Sequence, residues 1–109
     1  MKPVDIRPVG ETEVLMTWED EHRSLYSYHY LRFQCPCAGC KDEHTGKRLI
    51  HSKDIPVAIK SSEILPVGRY ALRFQFSDGH VTGIYSFAYL REICPCTKCQ
   101  IAHPPVINL

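Results

Sequence analysis

The sequence lacks several features that define large classes of protein. No stretch of its 109 residues approaches the roughly 18 consecutive apolar residues that a membrane-spanning helix needs. The first residues, MKPVDIRPVG, lack the apolar core of a secretory signal peptide. The net charge is only +1 with histidine neutral, so charge gives no support to a nucleic-acid partner or a membrane surface. We therefore expect a cytoplasmic protein.

Sequence signatures of common enzymes are also missing. There is no GxxxxGK[ST] loop to bind nucleotide phosphates. No HxD motif is followed by a distant histidine, so the ligand triad of a non-haem iron oxygenase is absent. We expect no catalytic activity and one domain over residues 1–109, with its core at about 4–99. The proline-rich C-terminal tail is expected to be extended or disordered.

Cysteine, by contrast, is plentiful. In a reducing compartment, six cysteines indicate metal ligands or redox groups rather than disulfides. Neighbouring thiolates repel one another, and a bound dication removes that cost. Zinc takes four sulfur or nitrogen ligands in a tetrahedron, so a group of three cysteines needs one further ligand. The cysteines form two such groups: Cys35, Cys37 and Cys40, then Cys94, Cys96 and Cys99.

Both cysteine groups belong to an internal repeat. Residues 30–40 and 89–99 each read YLRxxCPCxxC, and each copy follows an Asp-x-His segment and a Tyr-Ser pair. Two copies are too few for a solenoid, which needs about three or more repeats. The repeat instead indicates a duplicated unit with a pseudo-twofold relation inside one domain.

The apolar pattern of the repeat predicts its secondary structure. Strands are expected at 14–18, 23–26, 70–76 and 81–85, with a two-residue hairpin turn at Asp78-Gly79. Ser27 and Ser86 are the predicted N-caps of short helices that run to about residues 34 and 93. Pro36 and Pro95 then end regular helix, so each cysteine group lies in a loop.

Further strands are expected outside the repeat. They are an edge strand at 4–7 that is broken at Pro8, and two short strands at 57–59 and 63–66. The predicted fold is α+β, a two-layer unit of antiparallel strands with short helices, built from two quasi-repeated ββα halves that each end in a cysteine loop. The predicted core contains aromatic and aliphatic residues of the strands and helices: Trp18, Tyr70, Leu72, Phe74, Phe76, Ile84 and Leu90.

The residues alone leave the fourth ligand of the first cysteine group open. His44 and His51 are near in sequence, and His29 lies one helix upstream. His80 sits beside the predicted hairpin turn, where a side chain can be held in a fixed position.

A family resemblance selects among these histidines. The motifs WxDxH, LRxxCPCxxC, DExxTGxR and VGxYALRFxFSDGHxTGIYSFxYLR resemble the gamma-butyrobetaine hydroxylase-like N-terminal domain family (DUF971), in its stand-alone bacterial type, over about residues 4–99. The resemblance implies an α+β two-layer domain that binds zinc through a CxCxxC motif and a histidine in a later D-x-H turn. The matching positions in this chain are Cys35, Cys37, Cys40 and His80.

The second cysteine group goes beyond that family pattern. If the first group takes its histidine from the second hairpin, the repeat predicts that Cys94, Cys96 and Cys99 take His22 from the first. His103 is the alternative fourth ligand. The sequence thus predicts one or two zinc ions, with an iron–sulfur cluster as the competing cofactor.

The resemblance also bears on function. It implies a domain that precedes an oxygenase domain in some relatives and is fused to iron–sulfur carrier ATPases in bacterial ones. Because this chain lacks both catalytic motifs, we expect a zinc-binding structural or protein-interaction module, as a monomer or a homodimer. The alternatives are an accessory protein that handles metal or iron–sulfur clusters, with an iron–sulfur carrier or assembly protein as partner, and a thiol redox protein.

The remaining polar residues receive structural interpretations. We expect His29, His44 and His51 to be solvated, and Lys47-Arg48 to lie in a solvated turn. Arg32 and Arg91, which recur at equivalent positions of the repeat, are expected to pair with a carboxylate or a helix-end carbonyl.

Overall fold

The computed structural model describes residues 2–37, 39–42, 44–80 and 83–96. Within this part of the chain, the first three strands form one antiparallel sheet and the last three form a second. A 3₁₀ turn, Ser52–Asp54, lies between the two halves. The elements are β1 (Pro3–Val9), β2 (Glu13–Trp18), β3 (Arg23–Ser27), α1 (Tyr28–Phe33), β4 (Ser61–Val67), β5 (Ala71–Phe76), β6 (Ile84–Ser86) and α2 (Phe87–Glu92).

The two halves repeat each other element by element. Each contains the predicted ββα unit preceded by one edge strand, and the edge strands β1 and β4 have the same length of seven residues. Both edge strands carry an irregularity at the same place, between Pro3 and Asp5 in β1 and between Ser61 and Glu63 in β4. The predicted α+β class and its quasi-repeated halves are therefore confirmed.

The first edge strand differs from the prediction at Pro8. The strand was expected to break there, but β1 continues to Val9, and Pro8 pairs with Val14 of β2. Proline is tolerated in an edge strand because its missing N–H can face away from the neighbouring strand. Pro66 occupies the equivalent position in β4 and pairs with Leu72.

Each hairpin closes with a three-residue loop, which in the second half replaces the two-residue turn predicted at Asp78-Gly79. The N–H of Trp18 donates to the carbonyl oxygen of His22 over 2.8 Å, and the N–H of Phe76 donates to that of His80 over 3.1 Å. Such loops need a left-handed residue at their last position. Gly79 supplies it with φ 87°, and Glu21 supplies it with φ 69°.

The predicted strand at 57–59 is wrong. The N–H of Ile59 donates to the carbonyl oxygen of Pro56 over 3.1 Å, which is a turn hydrogen bond. Ile59 is buried in the core at this turn, and Val57 is exposed. The strand predicted at 63–66 is confirmed within β4. Of the strand predicted at 81–85, residues 81 and 82 lie outside the described residues, as does the tail from residue 97 onward.

Serine caps begin both helices as predicted. The side-chain oxygen of Ser27 accepts the N–H of Tyr30, and that of Ser86 accepts the N–H of Tyr89, each over 3.0 Å. The helices end at Phe33 and Glu92, directly before the two cysteine loops. Neither helix, each six residues long, is long and apolar enough to cross a membrane.

The buried side chains of both sheets form one shared core. Two residues predicted to belong to it do not, because Tyr70 is 64% exposed and Ile84 is 52% exposed. Tyr70 lies in the turn before β5, and Ile84 faces outward from β6 while its neighbour Tyr85 faces inward. The largest fully buried side chains are Trp18, Tyr26, Tyr85, Phe74, Met16, Leu31, Ile59 and Leu90.

Candidate metal centres

The first cysteine loop begins where helix α1 ends, and Arg48 fixes that junction. Its Nη1 donates to the carbonyl oxygens of Phe33 and Cys35, over 2.6 and 2.7 Å. Arg48 is only 7% exposed, so the expectation that it lies in a solvated turn is wrong. The physical reason is that a helix C-terminus leaves carbonyl groups without helical partners, and a guanidinium can bind two of them at once.

The structure brings the four residues of the predicted first site together. Nε2 of His80 lies 3.1 Å from Sγ of Cys35, 3.5 Å from Sγ of Cys37 and 3.8 Å from Sγ of Cys40. All four ligand atoms lie within 4.8 Å of one another. In a tetrahedral zinc site with bonds of about 2.3 Å to sulfur and about 2.1 Å to nitrogen, each sulfur lies about 3.6 Å from the nitrogen. The four atoms therefore fit a zinc ion.

Ordinary hydrogen bonding accounts poorly for this arrangement. A neutral imidazole Nε2 carries either one hydrogen or one lone pair, so it can satisfy one sulfur partner well. Here three sulfurs surround the same nitrogen of His80 within 3.8 Å. A cation at the centre of the group would satisfy all four atoms together.

Burial shifts the pKa of two of these side chains. Burial, together with the neighbouring Cys37 and Cys40 sulfurs, raises the pKa of the Cys35 thiol to about 12, against the effect of one backbone hydrogen bond. Burial also lowers the pKa of His80, with the nearby Arg32 guanidinium acting in the same direction. The lowered pKa favours the neutral imidazole, which is the form that binds a metal ion. A dication near Cys35 would favour its thiolate.

Arg32 links the cysteine loop to the hairpin that carries His80. Its Nε donates to Oδ2 of Asp78 over 2.8 Å, and its Nη1 lies 3.2 Å from Sγ of Cys40. Oδ1 of Asp78 accepts the backbone N–H of His80 over 3.0 Å. Burial alone would raise the pKa of Asp78, but the N–H of His80 and the Arg32 guanidinium together hold that pKa below its ordinary value.

The second half repeats this link. Arg91 donates two hydrogen bonds to the Asp20 carboxylate, over 3.0 and 2.9 Å, and lowers the pKa of Asp20 to about 2. Oδ1 of Asp20 accepts the backbone N–H of His22 over 3.3 Å. The expected pairing of Arg32 and Arg91 with a carboxylate is therefore confirmed for both residues.

The structure brings together three residues of the second predicted site, His22, Cys94 and Cys96. Nε2 of His22 lies 3.3 Å from Sγ of Cys94 and 3.4 Å from Sγ of Cys96. These three atoms also lie within 4.8 Å of one another. Cys99 and the alternative ligand His103 lie outside the described residues.

The histidines expected to be solvated are not among the metal-binding groups of the described residues. His29 places Nε2 2.9 Å from the carbonyl oxygen of Ser52. His44 and His51 are exposed.

Four tyrosines that the sequence analysis did not single out hold the helix ends of the opposite half. Tyr30 donates to the carbonyl oxygen of Ile93, and Tyr89 donates to that of Gln34, each over 2.5 Å. These carbonyls directly precede Cys94 and Cys35. Deeper in the core, the Tyr26 hydroxyl donates to the carbonyl oxygen of Leu90, and the Tyr85 hydroxyl donates to that of Leu31. The only available signal was that both Tyr-Ser and Tyr-Leu-Arg recur in the repeat.

Comparisons with known proteins agree with this architecture. The family described as gamma-butyrobetaine hydroxylase-like, N-terminal, matches residues 10–91. A DUF971 family protein of unknown function from Acidithiobacillus ferrooxidans, solved by crystallography at 1.93 Å, is 34% identical. That alignment covers 86% of this chain and 93% of the relative, with a TM-score of 0.63. No curated protein matches the chain.

Two structures solved in solution by NMR share the fold. One is 22% identical, with 85% of this chain and 68% of the other covered and a TM-score of 0.67. The second is 21% identical, with 92% and 76% covered and a TM-score of 0.63. At these identities, they support the fold alone. The family match and the 34% identical relative go further. The chain belongs to the gamma-butyrobetaine hydroxylase-like N-terminal (DUF971) family.

Proposed function

We propose that this chain is a small zinc-binding module in which Cys35, Cys37, Cys40 and His80 hold one structural Zn²⁺. The observation that carries the proposal is the position of one imidazole nitrogen within 3.8 Å of three sulfurs from a distant loop. The three cysteines and the histidine come from opposite halves of the chain. A zinc ion bound there would cross-link the two halves.

A structural role follows from the number of ligands. Structural zinc sites are closed by four protein ligands, whereas catalytic sites keep one position open for water or substrate. The first site offers four ligand atoms, and two of its cysteines are buried, with Cys35 0% exposed and Cys40 3% exposed. We propose a module without catalytic activity for this reason.

The family supports a role beside other proteins. The family is that of gamma-butyrobetaine hydroxylase-like N-terminal domains, and an N-terminal domain would act as a module next to another domain. We propose a protein-interaction role, with an iron–sulfur carrier or assembly protein as the partner class indicated by the resemblance. Cytoplasmic residence is part of the proposal, because groups of metal-ligating cysteines are typical of a reducing compartment.

Elemental analysis of the anaerobically purified chain tests the metal. Cys37→Ser and His80→Ala are each expected to hold one zinc fewer per chain than the wild type. His51→Ala is the matched control, because His51 is an exposed histidine outside the cluster, and it should retain the wild-type content. Unchanged zinc in His80→Ala would contradict the site. Iron with acid-labile sulfide would instead establish the iron–sulfur interpretation.

The partner class needs a separate measurement. Isothermal calorimetry with a purified iron–sulfur carrier protein should show binding to the zinc-loaded wild type and weaker binding to Cys37→Ser. His51→Ala again serves as the control. No heat of binding to the loaded wild type would contradict this partner while leaving the zinc site unaffected.

A further inference from the structure

The second cysteine loop carries chemistry that the family match does not assign, because that match ends at residue 91. Nε2 of His22 lies 3.3 Å from Sγ of Cys94 and 3.4 Å from Sγ of Cys96. A tetrahedral zinc ion places its sulfur and nitrogen ligands about 3.6 Å apart. Both distances are therefore close to those of ligands that share one cation.

The second cluster repeats two supports of the first, the tyrosine at the helix end and the ion pair that holds the histidine hairpin. Helix α2 ends at Glu92, two residues before Cys94. The carbonyl oxygen of the intervening Ile93 accepts the hydrogen bond of the Tyr30 hydroxyl. His22 is held on the opposite hairpin by Asp20, which the Arg91 guanidinium binds through two hydrogen bonds. Because contacts that hold the first cluster recur around the second, the second cluster is an organised site rather than a chance proximity of three side chains.

One pair of hydrogen bonds in the second cluster depends on Trp18 and Ser24, whose equivalents in the other half, Phe76 and Gly83, carry no polar side-chain atom. Nε1 of Trp18 donates to Oγ of Ser24 over 2.9 Å, and the Ser24 hydroxyl donates to Sγ of Cys94 over 3.0 Å. Because the indole N–H can only donate, it occupies a lone pair of Ser24 and leaves the hydroxyl hydrogen for the sulfur. All three residues are at most 1% exposed.

This buried donor is placed to support a metal-bound sulfur. A hydrogen bond to an ionised acceptor is roughly twice as strong as one between neutral groups, so the Ser24 hydroxyl is best matched by a thiolate. A buried thiolate needs a paired cation to offset the loss of its hydration. Outer hydrogen bonds of this kind orient and tune the ligands of metal sites in proteins.

We propose that His22, Cys94 and Cys96 bind a second divalent metal ion of the zinc class, with Ser24 as a positioning residue whose hydroxyl donates to the metal-bound Cys94 sulfur. This site shares no ligand with the first, so its presence can be tested separately from the function proposed above. A fully loaded chain would hold two ions.

Anaerobic titration of the reduced full chain with Co²⁺ tests the count. Thiolate-bound cobalt gives visible d–d bands and near-ultraviolet sulfur-to-cobalt charge transfer, and the wild type is expected to bind two equivalents. Cys94→Ser and His22→Ala should each bind one, and His51→Ala should bind two. A wild type that binds one equivalent, with Cys94→Ser unchanged in count and spectrum, would overturn the second site.

The variants also separate the two proposals. If the wild type binds one equivalent of Co²⁺, and this equivalent is lost in Cys94→Ser but kept in Cys37→Ser, the result would support the second site and contradict the first. Two equivalents in the wild type and one in each of these variants would support both sites. Cys94→Ser keeps a small polar side chain at this position. A circular dichroism spectrum like that of the wild type would show that the loss of one Co²⁺ equivalent is not due to unfolding.

Ser24→Ala tests the positioning residue through the absorption spectrum of the bound Co²⁺ rather than through the number of Co²⁺ equivalents. A hydrogen bond lowers the energy of sulfur lone pairs, so its removal should shift the second-site charge-transfer band to longer wavelength. The shift should persist in Cys37→Ser and be absent in Cys94→Ser. Identical bands in Ser24→Ala and the wild type would show that the hydroxyl does not donate to a metal-bound sulfur.

Discussion

Gly83 and Ser24 occupy equivalent positions of the two halves, each beside the first cysteine of a cluster. A Cβ atom on Gly83 would lie 2.5 Å from Sγ of Cys35, closer than two such atoms can approach. In the other half, Ser24 fills that place, and its hydroxyl contacts Sγ of Cys94 over 3.0 Å. The identity of one small residue therefore decides how closely the backbone approaches each cysteine.

Gly83→Ala is expected to weaken metal binding at the first site. The added methyl group would displace Cys35 from its ligand position, and changes in the surroundings of metal ligands typically cost roughly 10–100-fold in affinity. Competition with a chromophoric chelator measures the zinc affinity. Ser24→Ala, at the equivalent position of the other half, is the control and should leave first-site affinity unchanged. Equal affinities for Gly83→Ala and the wild type would contradict the steric argument.

The backbone of Glu21 offers a stabilising change. Glu21 has φ 69°, a left-handed conformation that costs a residue with a side chain roughly 1–2 kcal/mol. Glycine adopts it freely but loses about 0.5–1 kcal/mol of chain entropy on folding. Glu21→Gly should therefore raise the free energy of unfolding by up to about 1 kcal/mol, or Tm by several degrees.

Thermal melts of the metal-loaded protein measure this effect. Gly79→Ala changes the equivalent position, where φ is 87°, in the opposite direction and should lower Tm. A lower Tm for Glu21→Gly than for the wild type would show that the left-handed conformation carries no cost here.

At the scale of elements, the two short helices are held from outside. Each has six residues, too short for stability in isolation, and each ends on carbonyl groups that need partners. Tyrosines of the opposite half supply them, and Arg48 adds two more hydrogen bonds at the end of α1. The helix ends in turn fix where the cysteine loops begin.

Tyr89→Phe tests this support at the first site. Removing the hydroxyl leaves the part-buried Gln34 carbonyl without its tyrosine donor, and the loss of a typical hydrogen bond costs about 0.5–1.5 kcal/mol. Urea unfolding should show a loss of that size. Tyr70→Phe is the control, since Tyr70 is 64% exposed, and it should change stability by less than about 0.5 kcal/mol. Equal stability of the two variants would contradict the role of the tyrosine exchange.

At the scale of the whole molecule, each cysteine loop faces a histidine of the other half. Cys35 lies with His80, and Cys94 lies with His22. The ion pairs Arg32–Asp78 and Arg91–Asp20 connect the halves in the same reciprocal manner. A bound metal would therefore contribute to the folding of the whole chain rather than to one loop.

Zinc removal should accordingly lower the stability of the whole molecule. Structural zinc contributes roughly 10–16 kcal/mol of apparent binding free energy in small domains, comparable with the entire stability of a typical domain. Differential scanning calorimetry before and after chelation, with the released zinc measured, should show a large fall in Tm. Restoring zinc should return the original melt. An unchanged melt after verified zinc removal would refute a structural role.

The sequence predicted much of this architecture because it is duplicated. The repeated Ser27 and Ser86 predicted both helix starts, and the repeated motif with the resemblance predicted His80 as the partner of the first cysteine group. Arg48 could not be placed, because its partners are backbone carbonyls of another element and carbonyl positions leave no sequence pattern. The carbonyl partners of the four tyrosines could not be predicted for the same reason.

X-ray absorption at the zinc edge of the Cys94→Ser variant tests the central claim most directly. This variant removes a ligand of the second cluster, so the signal comes from the first. We predict one zinc ion with three sulfur neighbours at about 2.3 Å and one nitrogen neighbour at about 2.0–2.1 Å, and loss of the nitrogen neighbour in Cys94→Ser/His80→Ala. Four sulfur neighbours, or a nitrogen neighbour that survives the His80 substitution, would contradict it.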